Sequence, residues 1–144
     1  MTPLPDETQM RAYVAAWRSR LQAEEARRRR RVERAWSEAR RLARILIAEF
    51  GATEVWVFGS LALERPEAGA TRRFRADSDI DLAARGVPPG LFFRAYGRIM
   101  MASSFDVDLV DVDAVPPTLR ESILREGVLL GKGSRAGNPS PLGR

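Results

Sequence analysis

Three observations predict an α/β fold for this chain, with a small mixed β-sheet, helices packed on it and a long helical arm at the N-terminus. From Asp6 to Phe50 there is neither Gly nor Pro, and Ala, Glu, Arg and Leu dominate, which is helix composition. After residue 53, short apolar runs rich in β-branched and aromatic side chains alternate with helix-like segments. Turn signals separate them: Gly51, Gly86-Val87-Pro88-Pro89-Gly90, Pro116-Pro117 and Gly127.

Asp6 is a plausible N-cap for the first helix, and Gly51 a plausible C′ residue. Met10, Tyr13, Val14, Trp17 and Leu21 fall on one stripe, and Val32, Trp36, Leu42, Ala43, Leu46 and Phe50 continue it in phase. Glu24, Glu25, Arg28 and Arg31 interrupt that face. The segment is therefore one helix with a polar waist, or two helices broken near 22–31. Its second half packs on the next strand, since only Gly51-Ala52-Thr53 intervenes. The first half needs another surface to cover Tyr13 and Trp17. These features predict a helical extension over 1–31, a domain over 32–132 and a disordered tail over 133–144, where Gly, Ser, Pro and Arg accumulate.

Glu54-Val55-Trp56-Val57-Phe58 reads as a buried strand and stops at Gly59-Ser60. There the missing Cβ lets a phosphate approach the backbone, and the hydroxyl offers a further hydrogen bond. A second strand-like run, Asp79-Ile80-Asp81-Leu82, carries carboxylates at i and i+2, which strand geometry puts on one face. Like charges so close repel unless a cation sits between them. A helix is predicted over 91–103, then a strand-like run, Phe105-Asp106-Val107-Asp108-Leu109-Val110-Asp111. Asp108 stands inside the apolar frame of that run, where an acid is costly without a partner. A helix over 118–126 and a last strand, Val128-Leu129-Leu130, complete the series. An EF-hand is disfavoured, because its Gly and bidentate Glu are missing at the required offsets. Asp77, Asp106, Asp111 and Asp113 read as solvent or turn acids.

Composition narrows the chemistry. The 144 residues include no Cys and no His, which excludes thiolate zinc sites, Cys nucleophiles, Ser-His triads and His ligands. Metal and acid–base chemistry therefore falls to carboxylates, Tyr, Lys or Arg. The net charge of +5 belongs wholly to residues 1–52, so the candidate site itself is not basic. Arg27 to Arg31 form an unbroken basic run, but on a helix five successive residues spread around the circumference and make no single basic face. The run reads as solvated charge paired with neighbouring Glu, and nucleic-acid contact is the alternative, with no interleaved aromatics to support it. No apolar run is long enough to span a membrane and no secretory signal opens the chain, so the expectation is a cytoplasmic protein. Three carboxylates with phosphate oxygens as further ligands match the hard-oxygen preference of one or two Mg²⁺ ions.

Taken in order, Val55-Trp56-Val57-Phe58-Gly59-Ser60, Asp77-Ser78-Asp79-Ile80-Asp81-Leu82 and Val107-Asp108-Leu109-Val110 resemble the minimal nucleotidyltransferases of the polymerase-β-like superfamily. The resemblance covers about residues 33–132 and ends in the segment Leu119 to Gly127. It implies a nucleotidyltransferase fold, phosphate binding at Gly59 and Ser60, and metal ligation at Asp79, Asp81 and Asp108. Asp108 would also help deprotonate the acceptor hydroxyl. Many such proteins are antitoxins paired with a HEPN-family toxin, and some transfer AMP from ATP to a tyrosine of that partner. Two departures stand out. Leu61 to Ser78 makes a linker of 18 residues, longer than the family's, and its excess around Glu64 to Arg73 suggests a loop over the nucleotide. The Arg and Gly that tend to follow the family's Gly-Ser are replaced by Leu61-Ala62-Leu63-Glu64-Arg65.

The expected activity is Mg²⁺-dependent transfer of AMP from ATP to a hydroxyl, on a tyrosine of a HEPN-type partner. The alternatives are a non-catalytic antitoxin that neutralises its partner by binding, and a small-molecule adenylyltransferase. The stripe within residues 8–31 predicts burial against another chain, in a homo-oligomer or a hetero-complex.

Overall fold

A computed structural model describes residues 3–64 and 74–134. The first element, α1, spans Glu7–Phe50 as one continuous helix, so the break allowed near 22–31 does not occur. Ala, Glu and Arg hold the waist in helix through good intrinsic propensity, and Arg28 donates to both carboxylate oxygens of Glu25 at 3.0 and 3.1 Å. Asp6 caps the start through a reciprocal box. Its carboxylate accepts the Gln9 N–H at 2.7 Å, and the Gln9 side chain accepts the Asp6 N–H at 2.9 Å. Gly51 ends the helix in the left-handed region at φ +76°, and the Ala52 N–H returns to the Leu46 carbonyl at 3.1 Å.

Two compact units make up the chain, Met1–Arg31 and Val32–Arg144. In the first, every residue from Pro3 to Glu24 is exposed. Tyr13 and Trp17 meet edge-on with centroids 6.4 Å apart, and the Arg20 guanidinium lies 4.6 Å from the Trp17 ring centre.

The second unit is built on four strands, β1 (Glu54–Phe58), β2 (Ile80–Arg85), β3 (Val107–Asp111) and β4 (Val128–Lys132), in the order β3-β2-β1-β4. β1 runs antiparallel to both β2 and β4, while β2 and β3 are parallel, so the sheet is mixed as expected. Among the described residues two further α-helices, α2 (Phe92–Ala102) and α3 (Pro117–Glu126), are the crossover from β2 to β3 and the link from β3 to β4. Val55, Trp56 and Val57 are all buried, because β1 is covered on both faces. One face, carrying Val55, Val57, Leu82, Ala84 and Leu109, packs with Leu42 and Leu46 of α1 and Ala95 and Ile99 of α2. The other, carrying Trp56 and Ala83, packs with Ile123 of α3. No polar or charged residue is buried among the described residues.

Several boundaries differ from expectation. β2 starts at Ile80, leaving Asp79 just outside the strand. β3 starts at Val107, because Ser103 Oγ bonds both the Phe105 N–H and its carbonyl in a local turn. β4 continues through Gly131 and Lys132, past the expected strand end at Leu130, and the N–H of Gly133, the first residue of the expected tail, bonds the Thr53 carbonyl at 2.9 Å. The remainder of the expected tail, from residue 135, lies outside the described residues, as do residues 65–73 of the expected loop. At the base of that loop the Phe74 N–H donates to Glu64 Oε2 at 2.8 Å.

Candidate active site

At the end of β1 the chain turns on Gly59, whose φ of +73° is a conformation that side chains with a Cβ avoid. Phe58 is the register partner of Asp81 in β2, so the turn passes directly against that carboxylate. A Cβ on Gly59 would run into Asp81 Oδ2. Glycine is thus required twice, by the backbone angle and by the acid it faces. Ser60 follows in the turn, and its carbonyl accepts the Leu63 N–H at 3.3 Å at the start of a short 3-10 helix, Ala62–Glu64.

Asp81 stands between Ile80 and Leu82, both fully buried, so strand alternation sends its carboxylate to the opposite face. Asp108 has the same relation to Val107 and Leu109 on β3. The two are register partners on parallel strands and are therefore side by side. Asp79, one residue ahead of β2, is not placed by strand alternation, so the shared strand face expected for Asp79 and Asp81 is not what relates them. Both Asp79 and Asp108 nevertheless act on Asp81. Burial, then the charge of Asp108 and then that of Asp79, push the Asp81 carboxyl up from 3.8 to about 6.

Sequence reasoning missed Tyr96, which lies within the helix predicted over 91–103 and now seen as α2. Its hydroxyl donates to Asp108 Oδ1 at 2.6 Å and also approaches the Val107 carbonyl at 3.4 Å. The bond to Asp108, followed by desolvation, raises the Tyr96 pKa and keeps the phenol a donor. A hydroxyl on the otherwise apolar face of the helix preceding the third strand was the available signal.

Asp113 pairs with Arg85 through two bonds of 3.0 Å, which lowers its pKa, and Asp111 Oδ1 accepts the Asp113 N–H in an Asx turn. Asp77 and Asp106 line an open cleft of about 360 Å³ together with Arg34, Ser78 and Ser104.

The carboxylate set suits a hard divalent cation. Asp81 is half-buried, is raised by two like charges, and receives no hydrogen bond from the side chains whose contacts are described. As the side chains stand, however, no group of three or more acids among the described residues is arranged to hold a metal ion. Phosphate oxygens of a nucleotide are the further ligands such a set calls for.

A solved structure described as a "putative minimal nucleotidyltransferase" is 32% identical, over 69% of this chain and 89% of that one, with a TM-score of 0.45. The chain belongs to the minimal nucleotidyltransferase family. A structure of a toxin–antitoxin with AMP-PNP is 21% identical over 66% of this chain and 73% of that one, with a TM-score of 0.50, and it supports the fold. The toxin–antitoxin MntA–HepT gives 19% identity, 67% and 71% coverage and a TM-score of 0.48. No family model and no curated protein matches the chain. Among the described residues, no helix is long and apolar enough to cross a membrane.

Proposed function

We propose that this minimal nucleotidyltransferase transfers AMP from ATP to a hydroxyl group, with a tyrosine of a HEPN-type toxin as the acceptor and Mg²⁺ as the cofactor. The observation that carries the reading is the in-register pair Asp81 and Asp108, with Asp81 lying against the Gly59 turn. In this reading Gly59 and Ser60 hold the nucleotide phosphates, and Asp79, Asp81 and Asp108 hold the cation. Bound Mg²⁺ would supply charge neutralisation for the phosphates and the leaving pyrophosphate. The acceptor oxygen forms a bond to the α-phosphorus, the bond from that phosphorus to the bridging oxygen breaks, and pyrophosphate leaves. Asp108 takes the acceptor proton. Positioning and electrostatics carry the rate, with no covalent enzyme intermediate.

The relatives described as toxin–antitoxins, one of them with AMP-PNP, support a nucleotide and a protein partner for this chain as well. The exposed stripe Tyr13, Trp17, Leu21 supports a further contact with another chain through residues 8–31. The test is incubation of the protein with α-labelled ATP, Mg²⁺ and the protein encoded beside it. Label transfer that is abolished by Asp79→Asn is the expected result. Neutralisation and complex formation that proceed unchanged in Asp79→Asn, without any label, would replace the enzyme by a stoichiometric binding module. Label on a small molecule alone would make it a small-molecule adenylyltransferase.

A further inference from the structure

Asp108 sits on β3, an outer strand of the sheet, and its side chain is exposed. An exposed aspartate on an edge has no packing to select its rotamer, yet the proposed chemistry needs one of its oxygens turned towards Asp81. The Tyr96 hydroxyl provides that selection. It bonds Oδ1 at 2.6 Å, while its ring is fixed by an edge-on contact with Phe92, centroids 6.4 Å apart, and by packing against the core. α2 is anchored by fully buried Ala95 and Ile99, and Arg98 bonds both oxygens of Glu49 in α1 at 3.1 Å. The phenol therefore approaches Asp108 from a rigid support.

We propose that Tyr96 is a positioning residue for the nucleotidyl-transfer site: by holding Oδ1 of Asp108 it leaves Oδ2 free to face the cation shared with Asp81. The role rests on the reading of Asp108 given above. It differs from a merely structural tyrosine, whose hydroxyl could be lost with no consequence at the site. It also differs from an acceptor tyrosine, because Tyr96 here serves as a donor that stays in place. Groups that orient a metal-binding side chain typically matter by about 10–100-fold in metal affinity or activity.

The experiment uses the full chain and Tyr96→Phe, which keeps the ring and removes only the hydroxyl. Binding of Mn²⁺ in the presence of a non-hydrolysable ATP analogue is followed by calorimetry, together with the thermal midpoint. Affinity should fall about tenfold with the midpoint nearly unchanged, and label transfer should lose kcat more than ATP KM. In an Asp108→Asn background the same substitution should change cation affinity little further, since the oxygen it orients is no longer a charged ligand. Three results overturn the role: unaltered affinity in Tyr96→Phe, an affinity loss of equal size in both backgrounds, or AMP found on Tyr96 itself by peptide mass mapping. A wild-type protein that binds no divalent cation overturns the nucleotidyl-transfer reading as well. Normal wild-type binding with an unaffected Tyr96→Phe overturns the positioning role alone.

Discussion

Replacing Asp81 by Asn should make the protein more stable and inactive at once. The carboxyl is raised from 3.8 to about 6 by burial and by the charges of Asp108 and Asp79. A rise of about two pH units corresponds to about 3 kcal/mol between the two protonation states. Asp81 is only half-buried, so solvent screening reduces this to about 1–2 kcal/mol. The sign follows from linkage. A folded-state pKa above the ordinary value favours the fold while the group is protonated, and that contribution is lost as pH rises from about 4 through about 6. At pH 8 wild type therefore carries the full electrostatic cost, and Asp81→Asn does not. Chemical denaturation of both proteins in metal-free buffer at pH 5 and pH 8 measures the difference. The variant should be more stable by about 1–2 kcal/mol at pH 8, or roughly 5 °C in Tm, with the gap shrinking towards pH 5. Added Mg²⁺ with nucleotide should raise wild type and leave the variant nearly unmoved. A variant no more stable than wild type at pH 8, or a gap independent of pH, would refute the crowded-carboxylate account.

Gly59→Ala should destabilise by about 2–3 kcal/mol, from the left-handed backbone and the collision with Asp81 together. Urea titration should recover part of that loss in an Asp81→Gly background, where only the backbone strain is left. Glu38 is held below its usual pKa chiefly by the Arg41 guanidinium and further by the Ser104 N–H and hydroxyl. Its contribution is therefore present above about pH 4.5 and fades on acidification, so Glu38→Gln should cost about 1–2 kcal/mol at pH 7 and less at pH 4 in the same titration. In the N-terminal unit, Trp17→Ser with Leu21→Ser should disperse any self-assembly seen by light scattering, since both side chains are exposed on one stripe. An unchanged mass for the double variant, or a monomeric wild type, would exclude this stripe as a homo-oligomer contact.

Much of the architecture was legible because its causes are local. A Gly- and Pro-free run from Asp6 to Phe50 has no point at which to stop, and the capping residues at its ends are the ones used. The unbroken apolar run Val55-Trp56-Val57 signalled a strand covered on both sides, which is how β1 lies. Where the reading failed, the cause was equally local but unseen. Asp79 was assigned to a strand that hydrogen bonding begins only at Ile80, and the last strand was ended at Leu130 although the Gly131 backbone pairs with Val55.

The chain's own order of residues determined the Gly59-Ser60 turn after an apolar strand, the Asp79/Asp81 spacing, the acid inside Val107-Asp108-Leu109-Val110, and the restriction of metal chemistry to oxygen ligands. Side-chain period and composition are enough for these, because each depends on a few consecutive residues. Only the tertiary structure decided that β2 and β3 are parallel neighbours in the register that sets Asp81 beside Asp108, that Gly59 lies against the Asp81 carboxylate, and that Tyr96 reaches Asp108. Alternation tells which face a carboxylate takes but not which strand lies next to it. That pairing is settled by burying two apolar faces at once, a condition on the whole sheet and its helices.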